Sequence, residues 1–360
     1  PLNMRRNHVM PVRQLLAFLL VFSSWLGGFE SPSVSKSSAG EPSGKTAVEV
    51  RPLQLVHAGR WIGEAVCYSP YRQGQRPGGS GPSKEQLKED LLIISKHWPL
   101  LRTYGSTGFA AEMLQVIREE QLPLQVVLGA WIQPEHQKVG GSEEINKAAR
   151  EANQKEVINS IALANEYQEL VIAISVGNET QVEWSGHKVE PTLLVDYLRE
   201  VRNRTSVPVT TADDYMFWCD ASSSRMADEV DFIITHIHPV WHGLEAVNAL
   251  EFVREKYELV TQSHPEALVV IGETGWATRK NERGREAKRV SGRMNESEQQ
   301  VACEQIVQWA EAEKIATFIF EAFDEPWKGD DHPDEIEKHW GLFRVDRTPK
   351  LILESPRDTK

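Results

Sequence analysis

Val171-Ile172-Ala173-Ile174-Ser175-Val176-Gly177-Asn178-Glu179 and Val269-Val270-Ile271-Gly272-Glu273-Thr274-Gly275-Trp276 decide how this chain folds. Each is a short apolar, largely β-branched run closed by glycine, a carboxylate and turn residues. A run that is apolar at nearly every position, rather than at alternate ones, fits a strand covered on both faces. A carboxylate at the end of such a strand is costly, because a buried charge must be paired or shift its pKa. Two of them, on separate strands, suggest one site assembled across one sheet.

Six further runs share this character: Ile62–Cys67, Leu100–Tyr104, Leu124–Leu128, Val207–Thr211, Phe232–His236 and Thr317–Phe320. With Val171–Val176 and Leu268–Ile271 they make eight predicted strands. Helical patterns lie between them. Ser83 to His97 opens with Ser83 and Gln86 spaced as a capping box. Leu194, Tyr197, Leu198 and Val201 repeat at helical spacing behind Pro191. Ala246, Leu250, Val253 and Tyr257 do the same, as do Ala302, Ile306, Trp309 and Ala310 after Asn295, a candidate N-cap. Eight strands, each followed by a helix or long loop, predict an α/β fold: a single (β/α)8 TIM barrel over residues 58–350. A doubly wound open sheet is the alternative, weakened because no Gly-rich phosphate turn follows the first strand. No internal repeat or second domain is seen.

The flanks differ in kind. Met4 reads as the translation start, with Pro1 to Asn3 upstream of it. Arg5, Arg6 and Arg13 precede a mostly apolar run from Leu15 to Leu26. Residues 1–30 therefore read as a signal peptide or an N-terminal anchor, the run being short for a membrane span of about 20 residues. Export to the periplasm or the extracellular space is expected, or membrane anchoring where the segment is not cleaved. Residues 31–57, rich in Ser, Pro, Gly and Lys at their start, read as a flexible linker, and residues 351–360 as a tail. Net charge is −12, which argues against a nucleic-acid partner and against anionic polysaccharides. No stable protein partner is expected, so a monomer is. Three cysteines, Cys67, Cys219 and Cys303, are too few for a disulfide framework; they read as small buried hydrophobes, with one disulfide open if the protein is exported.

In a barrel the active site lies at the carboxyl ends of the strands, and there the polar and aromatic residues gather. Tyr68, Tyr71 and Arg72 follow the first strand, and Arg102 and Tyr104 the second. Trp131 follows the third, Asn178 and Glu179 the fourth. Asp213, Asp214, Tyr215 and Trp218 follow the fifth; His236, His238 and Trp241 the sixth. Glu273 and Trp276 follow the seventh, and Glu321, Asp324, Glu325 and Trp327 the eighth. Aromatic faces interleaved with carboxylates and amides suit pyranose rings. Paired carboxylates flanking one bond are what glycoside hydrolysis needs.

At these residues the chain resembles glycoside hydrolase family 17, the β-1,3-glucanase and β-1,3-glucan transglycosylase family. The matching pieces are Val66-Cys67-Tyr68-Ser69-Pro70-Tyr71, Leu101-Arg102-Thr103-Tyr104-Gly105, Val176-Gly177-Asn178-Glu179 and Val270-Ile271-Gly272-Glu273-Thr274-Gly275-Trp276. Phe320-Glu321-Ala322-Phe323-Asp324-Glu325-Pro326-Trp327-Lys328 and His339-Trp340-Gly341-Leu342-Phe343 complete them. The resemblance implies a (β/α)8 barrel and a retaining mechanism, with Glu179 as acid/base and Glu273 as nucleophile. The substrate it implies is a neutral β-1,3-glucan, with no cofactor and no metal. Cys67 and the charged insert Arg279–Arg293 receive no role from it; the insert is expected to be solvated surface, with the rim of the groove as the alternative.

Around the two glutamates, Asn178 is placed to bond a sugar 2-hydroxyl, and Tyr104 to orient Glu273. Glu321 is a candidate for binding substrate hydroxyls or for holding the site electrostatically. Tyr71, Trp131, Tyr215, Trp276 and Trp327 are candidate sugar contacts, and Arg102 a partner for a carboxylate. Two rivals stay open. His236-x-His238, with His242, could ligate a metal for metal-assisted hydrolysis. A non-catalytic glucan-binding protein could use the same barrel. Endo or exo action, and hydrolysis or transglycosylation, are not legible.

Overall fold

The computed structural model describes residues 49–139, 142–284 and 286–354. The predicted leader or anchor, residues 1–30, and linker residues 31–48 lie outside the described residues.

Eight parallel strands close into a barrel in which each pairs with its neighbours in chain order. They are β1 (Glu64–Cys67), β2 (Leu100–Arg102), β3 (Gln125–Ala130), β4 (Val171–Asn178), β5 (Val209–Asp214), β6 (Ile233–His236), β7 (Val269–Thr274) and β8 (Thr317–Ile319). Every residue of β3, β5 and β7 is buried, as the uninterrupted apolar runs require of strands packed inside and out. All eight predicted strands are present. β4, β5 and β7 run further than their apolar runs, to Asn178, Asp214 and Thr274, because the polar residues at their ends keep the ladder going.

Among the described residues six helices of ten residues or more wrap the strands: α1 (Lys84–Ile94), α2 (Ala110–Glu119), α3 (Lys147–Glu166), α4 (Pro191–Arg204), α5 (Ala249–Ser263) and α6 (Glu296–Ala312). The Ser83–Gln86 capping box forms, Pro191 sits in the first turn of α4, and the Asn295 side chain accepts the Glu298 N–H. Between β5 and β6 the outer layer is reduced to short turns, Tyr215–Trp218 and Ser224–Ala227. An antiparallel hairpin, His136–Val139 with Ser142–Ile145, is inserted after β3. Among the described residues no helix is long and apolar enough to cross a membrane.

Both predicted edges of the barrel domain move outward. Residues 49–57 are packed rather than free. The Arg51 N–H donates to Asp231 at 2.6 Å, its guanidinium caps the carbonyls of Arg202, Thr205 and Val207, and Val56–His57 pairs with Arg60–Trp61. At the other edge, Leu351–Glu354 forms a helical turn with Ile352 buried. The loose composition stops at Lys45; beyond it an arginine aimed at helix-end carbonyls is enough to fasten the chain. The three cysteines are free; Cys67 and Cys303 are buried as expected, whereas Cys219 is exposed. The charged insert is not simply solvated either: Val290 within it is buried, and Asn281 bonds Glu335 at 2.9 Å.

Candidate active site

Glu273 lies within β7, paired in register with His236 of β6. The glycine before it is forced by packing: a Cβ on Gly272 would fall 2.0 Å from Ile234 Cγ2. The Gly272 carbonyl accepts from Arg102 at 3.2 Å, and Glu273 Oε1 accepts from the same guanidinium at 2.9 Å and from the Tyr104 hydroxyl at 2.9 Å. Its Oε2 faces His238 Nε2 at 3.1 Å. Burial works to raise this carboxyl, but the hydrogen bond from His238 and the Arg102 guanidinium outweigh it and hold Glu273 well below the usual carboxylate range. His238 is raised in return: burial opposes its charge, and the bond to Glu273 with the Glu273, Glu179 and Asp214 carboxylates prevails.

Glu179 stands just past the end of β4. The chain turns sharply here, with φ of +80° at Gly177 and +49° at Glu179 itself. Positive φ at a non-glycine residue is uncommon and costs on the order of 1–3 kcal/mol, a strain that gathers at functional sites. The Glu179 side chain is 18% exposed and meets His236 Nδ1 at 2.8 Å. Burial first, then the charge of Glu273, push its carboxyl up to about 7. His236 is pushed down to about 3 by burial, so a neutral imidazole stands between the two acids. One donor atom each of Glu179, His236 and Glu273 lie within 4.8 Å of one another. Such a trio could bracket a metal ion, and the same spacing suits two carboxylates acting on one bond. His242, grouped with these histidines in the sequence, does not join them: it sits against Phe252 and faces the Tyr215 hydroxyl at 3.3 Å.

Asn178, the last residue of β4, is tied in as well. Its Oδ1 accepts from Arg102 at 2.6 Å, so one buried guanidinium fixes both Asn178 and Glu273. Arg102 and Tyr104 thus both bond Glu273 Oε1.

The other sugar contacts divide. Trp327 is 38% exposed, its ring meets Tyr71 edge-on at 6.0 Å, and its indole N–H donates to Glu325; the loops after β8 and β1 share this aromatic wall. Trp131 is half-buried, stacked obliquely on His187 at 5.1 Å, and His187 in turn contacts the Asn178 carbonyl at 2.8 Å. Trp276 corrects an expectation. It is fully buried with its indole N–H on the Arg293 carbonyl, so it is core and offers no face to a sugar. Glu321 is placed away from direct sugar contact. It is 1% exposed and gives both oxygens to Lys328, at 3.0 and 2.8 Å. Burial and the nearby Glu325 push it well above the usual carboxylate range. Glu321 and Glu325 clasp one ammonium between them instead of meeting substrate directly. Tyr215 turns toward the next helix, its ring edge-on to Phe252 at 5.9 Å.

Two buried carboxylates hold the loops, and the sequence assigns that part to neither. Glu156 of α3 accepts the backbone N–H groups of Ser106, Thr107 and Trp131 at 2.7, 3.2 and 3.2 Å. Asp213 of β5 accepts those of Gln181, Val182 and Asp214 at 2.8, 3.2 and 2.9 Å. Burial pushes Asp213 up to about 8 against the pull of these donors, and Asp214 up to about 6. A carboxylate at a strand end is a signal for Asp213; a glutamate inside an amphipathic helix gives none for Glu156.

A family profile described as BtgE/BtgC glycoside hydrolase domain matches residues 65–341, which contain both glutamates and all eight strands but the first residue of β1. A glucan 1,3-β-glucosidase of Arthroderma benhamiae is 26% identical over 289 residues, covering 77% of this chain and 87% of that protein. The glucan endo-1,3-β-glucosidase btgC of Emericella nidulans is 25% identical over 340 residues, 87% of this chain and 48% of its own length; the chain spans about half of such relatives. Among solved structures, an endo-laminarinase from Formosa Hel1_33_131 superposes with a TM-score of 0.69 at 24% identity, over 81% of this chain and 86% of that one. A β-1,3-glucanosyltransferase of Rhizomucor miehei, in complex with laminaritriose, does so at 0.64 and 20% identity, over 80% and 95%. These two likenesses speak for the barrel, and the profile speaks for the family: the chain belongs to the BtgE/BtgC glycoside hydrolase domain family.

Proposed function

We propose that this chain is a retaining glycosidase of glycoside hydrolase family 17 acting on β-1,3-glucan, with Glu273 as nucleophile and Glu179 as acid/base. The observation that carries it is that one oxygen of each carboxylate lies within 4.8 Å of the other, which supports the shorter of the two separations that follow, with one carboxyl pushed up to about 7 and the other held low. Retaining enzymes keep their carboxyl groups roughly 5–5.5 Å apart; inverting ones need room for a water, roughly 6.5–9.5 Å. Ionised Glu273 attacks the anomeric carbon while Glu179 passes its proton to the departing glycosidic oxygen. The C–O bond breaks and a glycosyl ester on Glu273 forms. Glu179, now a carboxylate, takes a proton from water or from a sugar hydroxyl, whose oxygen attacks the anomeric carbon and frees Glu273. Two inversions leave the β configuration unchanged. Arg102 fixes the Asn178 amide by its oxygen, which leaves the NH2 end for the 2-hydroxyl.

The β-1,3 linkage rests on the resemblance to family 17 and on the names of the relatives. Transglycosylation on the same site differs only in what resolves the ester, and a glucanosyltransferase among the structural neighbours keeps it in view. Export, proposed from the basic and apolar residues before position 27, fits a substrate outside the cell. Proton NMR of the first products from a laminari-oligosaccharide tests the mechanism: the β-anomer is expected before mutarotation, and initial α-anomer would sink it. Products longer than the substrate would assign transfer. Cleavage confined to β-1,4-glucan would sink the linkage, and an absence of any cleavage would leave a binding protein.

A further inference from the structure

The backbone that presents Glu179 is held from one side by one strand. The Glu179 N–H donates to the Ala212 carbonyl of β5 at 2.8 Å. The next residue of β5, Asp213, is completely buried, and its carboxyl takes hold of the chain again just beyond Glu179. Oδ2 accepts the Gln181 N–H at 2.8 Å, and Oδ1 accepts the Val182 N–H at 3.2 Å and the Asp214 N–H at 2.9 Å. Between the two grips lies the φ of +49° at Glu179. A sparsely populated backbone conformation persists only where the surroundings over-determine it. The loop then closes on itself: the Val189 N–H donates to Thr180 O at 2.9 Å, and the Gln181 amide to Val189 O at 3.0 Å.

We infer that Asp213 is a positioning residue for the acid/base: its carboxyl pins the turn from Thr180 to Val182 so that the Glu179 side chain faces Glu273. The inference rests on the role proposed for Glu179. Asp213 itself is completely buried, behind the turn and out of reach of a substrate. Its effect is felt at one proton transfer, the delivery to the leaving oxygen and its return, because that step requires the acid within hydrogen-bond reach of one oxygen.

Glu156 supplies an internal control. It is also buried and also collects backbone N–H groups at this end of the barrel, but from the loops after β2 and β3. A scaffold residue should slow every substrate alike. A residue that aims the acid should slow a substrate in proportion to its need for acid.

The test measures kcat/KM for D213N, E156Q, E179Q and wild type on aryl β-laminaribiosides running from dinitrophenyl to unsubstituted phenyl, with circular dichroism and thermal midpoints for each. D213N keeps the shape but sets an NH2 against an N–H donor. The expected D213N result is a loss within about threefold on the dinitrophenyl substrate and about 100-fold on the phenyl one, the range of general acid catalysis. E156Q should lose the same factor on both. A flat D213N series beside a steep E179Q series would overturn the inference alone. A flat E179Q series would overturn the role of Glu179 and the inference with it. D213S, which retains one acceptor, repeats the series if D213N does not fold; failure of both to fold would place Asp213 in the scaffold and overturn the inference.

Discussion

The ends of β4 and β7 hold the same side chain in opposite surroundings. Glu273 is met by a guanidinium at 2.9 Å, a tyrosine hydroxyl at 2.9 Å and an imidazole at 3.1 Å. Among the described residues Glu179 has one side-chain hydrogen-bond partner, His236, and that imidazole is neutral because burial suppresses its charge. Donors make the first carboxylate anionic; burial beside that anion keeps the second protonated. The difference shows that strand position makes a carboxylate a candidate, and its neighbours choose its part.

The hardest blow to this asymmetry is the removal of the anion. Glu273→Gln should lower kcat on laminari-oligosaccharides by about 10⁴-fold or more, the scale on which single nucleophile losses fall. The same loss should appear with every leaving group, since no glycosyl ester can form. Residual turnover near the wild-type rate would mean that β7 does not supply the nucleophile.

Glu179→Gln should be milder and selective. General acid–base catalysis contributes roughly 10²–10⁴-fold, so the loss on glucan should fall there. A dinitrophenyl glycoside should still form the ester, which then accumulates because the second step lacks its base. Mass spectrometry of the quenched enzyme should show the adduct on the peptide containing Glu273. No adduct in this variant, with one on the peptide containing Glu179 in Glu273→Gln, would exchange the two roles.

Tyr104→Phe tests one donor. A hydrogen bond to a charged group contributes about 1.5–3 kcal/mol, so a loss of roughly 10- to 100-fold in kcat is expected. The pH profile should move on one side only. Activity needs Glu273 ionised and Glu179 protonated, so the basic limb follows Glu179, at about 7, and the acid limb follows Glu273. Without the tyrosine the acid limb should rise and the basic limb stay. Movement of the basic limb instead would show that Tyr104 serves the acid/base.

Much of this site was legible in the sequence, and the rest was hidden for identifiable reasons. Glu179, Asn178 and Glu273 stand out because polar residues ending apolar runs must lie at strand ends, and the closed ring brings strand ends together. The Arg102–Glu273 pair joins β2 to β7 and exists only once the barrel has closed. Trp276 and Trp327 look alike in sequence, each in the loop that follows a strand. The first is pulled into the core by the Arg293 carbonyl, and the second stands 38% exposed on Tyr71. Trp327→Ala should therefore weaken substrate binding in a stable protein, whereas Trp276→Ala should cost about 3–5 kcal/mol of stability, as large aromatic cavities do.

The smallest expected effect reads the asymmetry without substrate. Glu179 is raised from 4.5 to about 7 in the folded protein. Between those values the unfolded chain has released a proton that the native state still holds, so stability falls as pH rises through the window and levels off above it. The fall is at most on the order of 3 kcal/mol, and less in practice because water reaches part of the side chain. Asp213 and Asp214, raised to about 8 and about 6, slope the same way, so only the difference between wild type and Glu179→Gln isolates this group. The two should unfold at similar urea concentrations near pH 4.5, and the variant should be the more stable near pH 8. Glu273 is held low, so it contributes stability above its unfolded pKa that is lost only as pH falls through its depressed folded value. Glu273→Gln should therefore be the less stable variant at neutral pH, with Arg102 left buried without its anion. A Glu179→Gln gain that stays constant from pH 4.5 to 8 would come from packing, and the contrast between the two strand ends would lose its electrostatic basis.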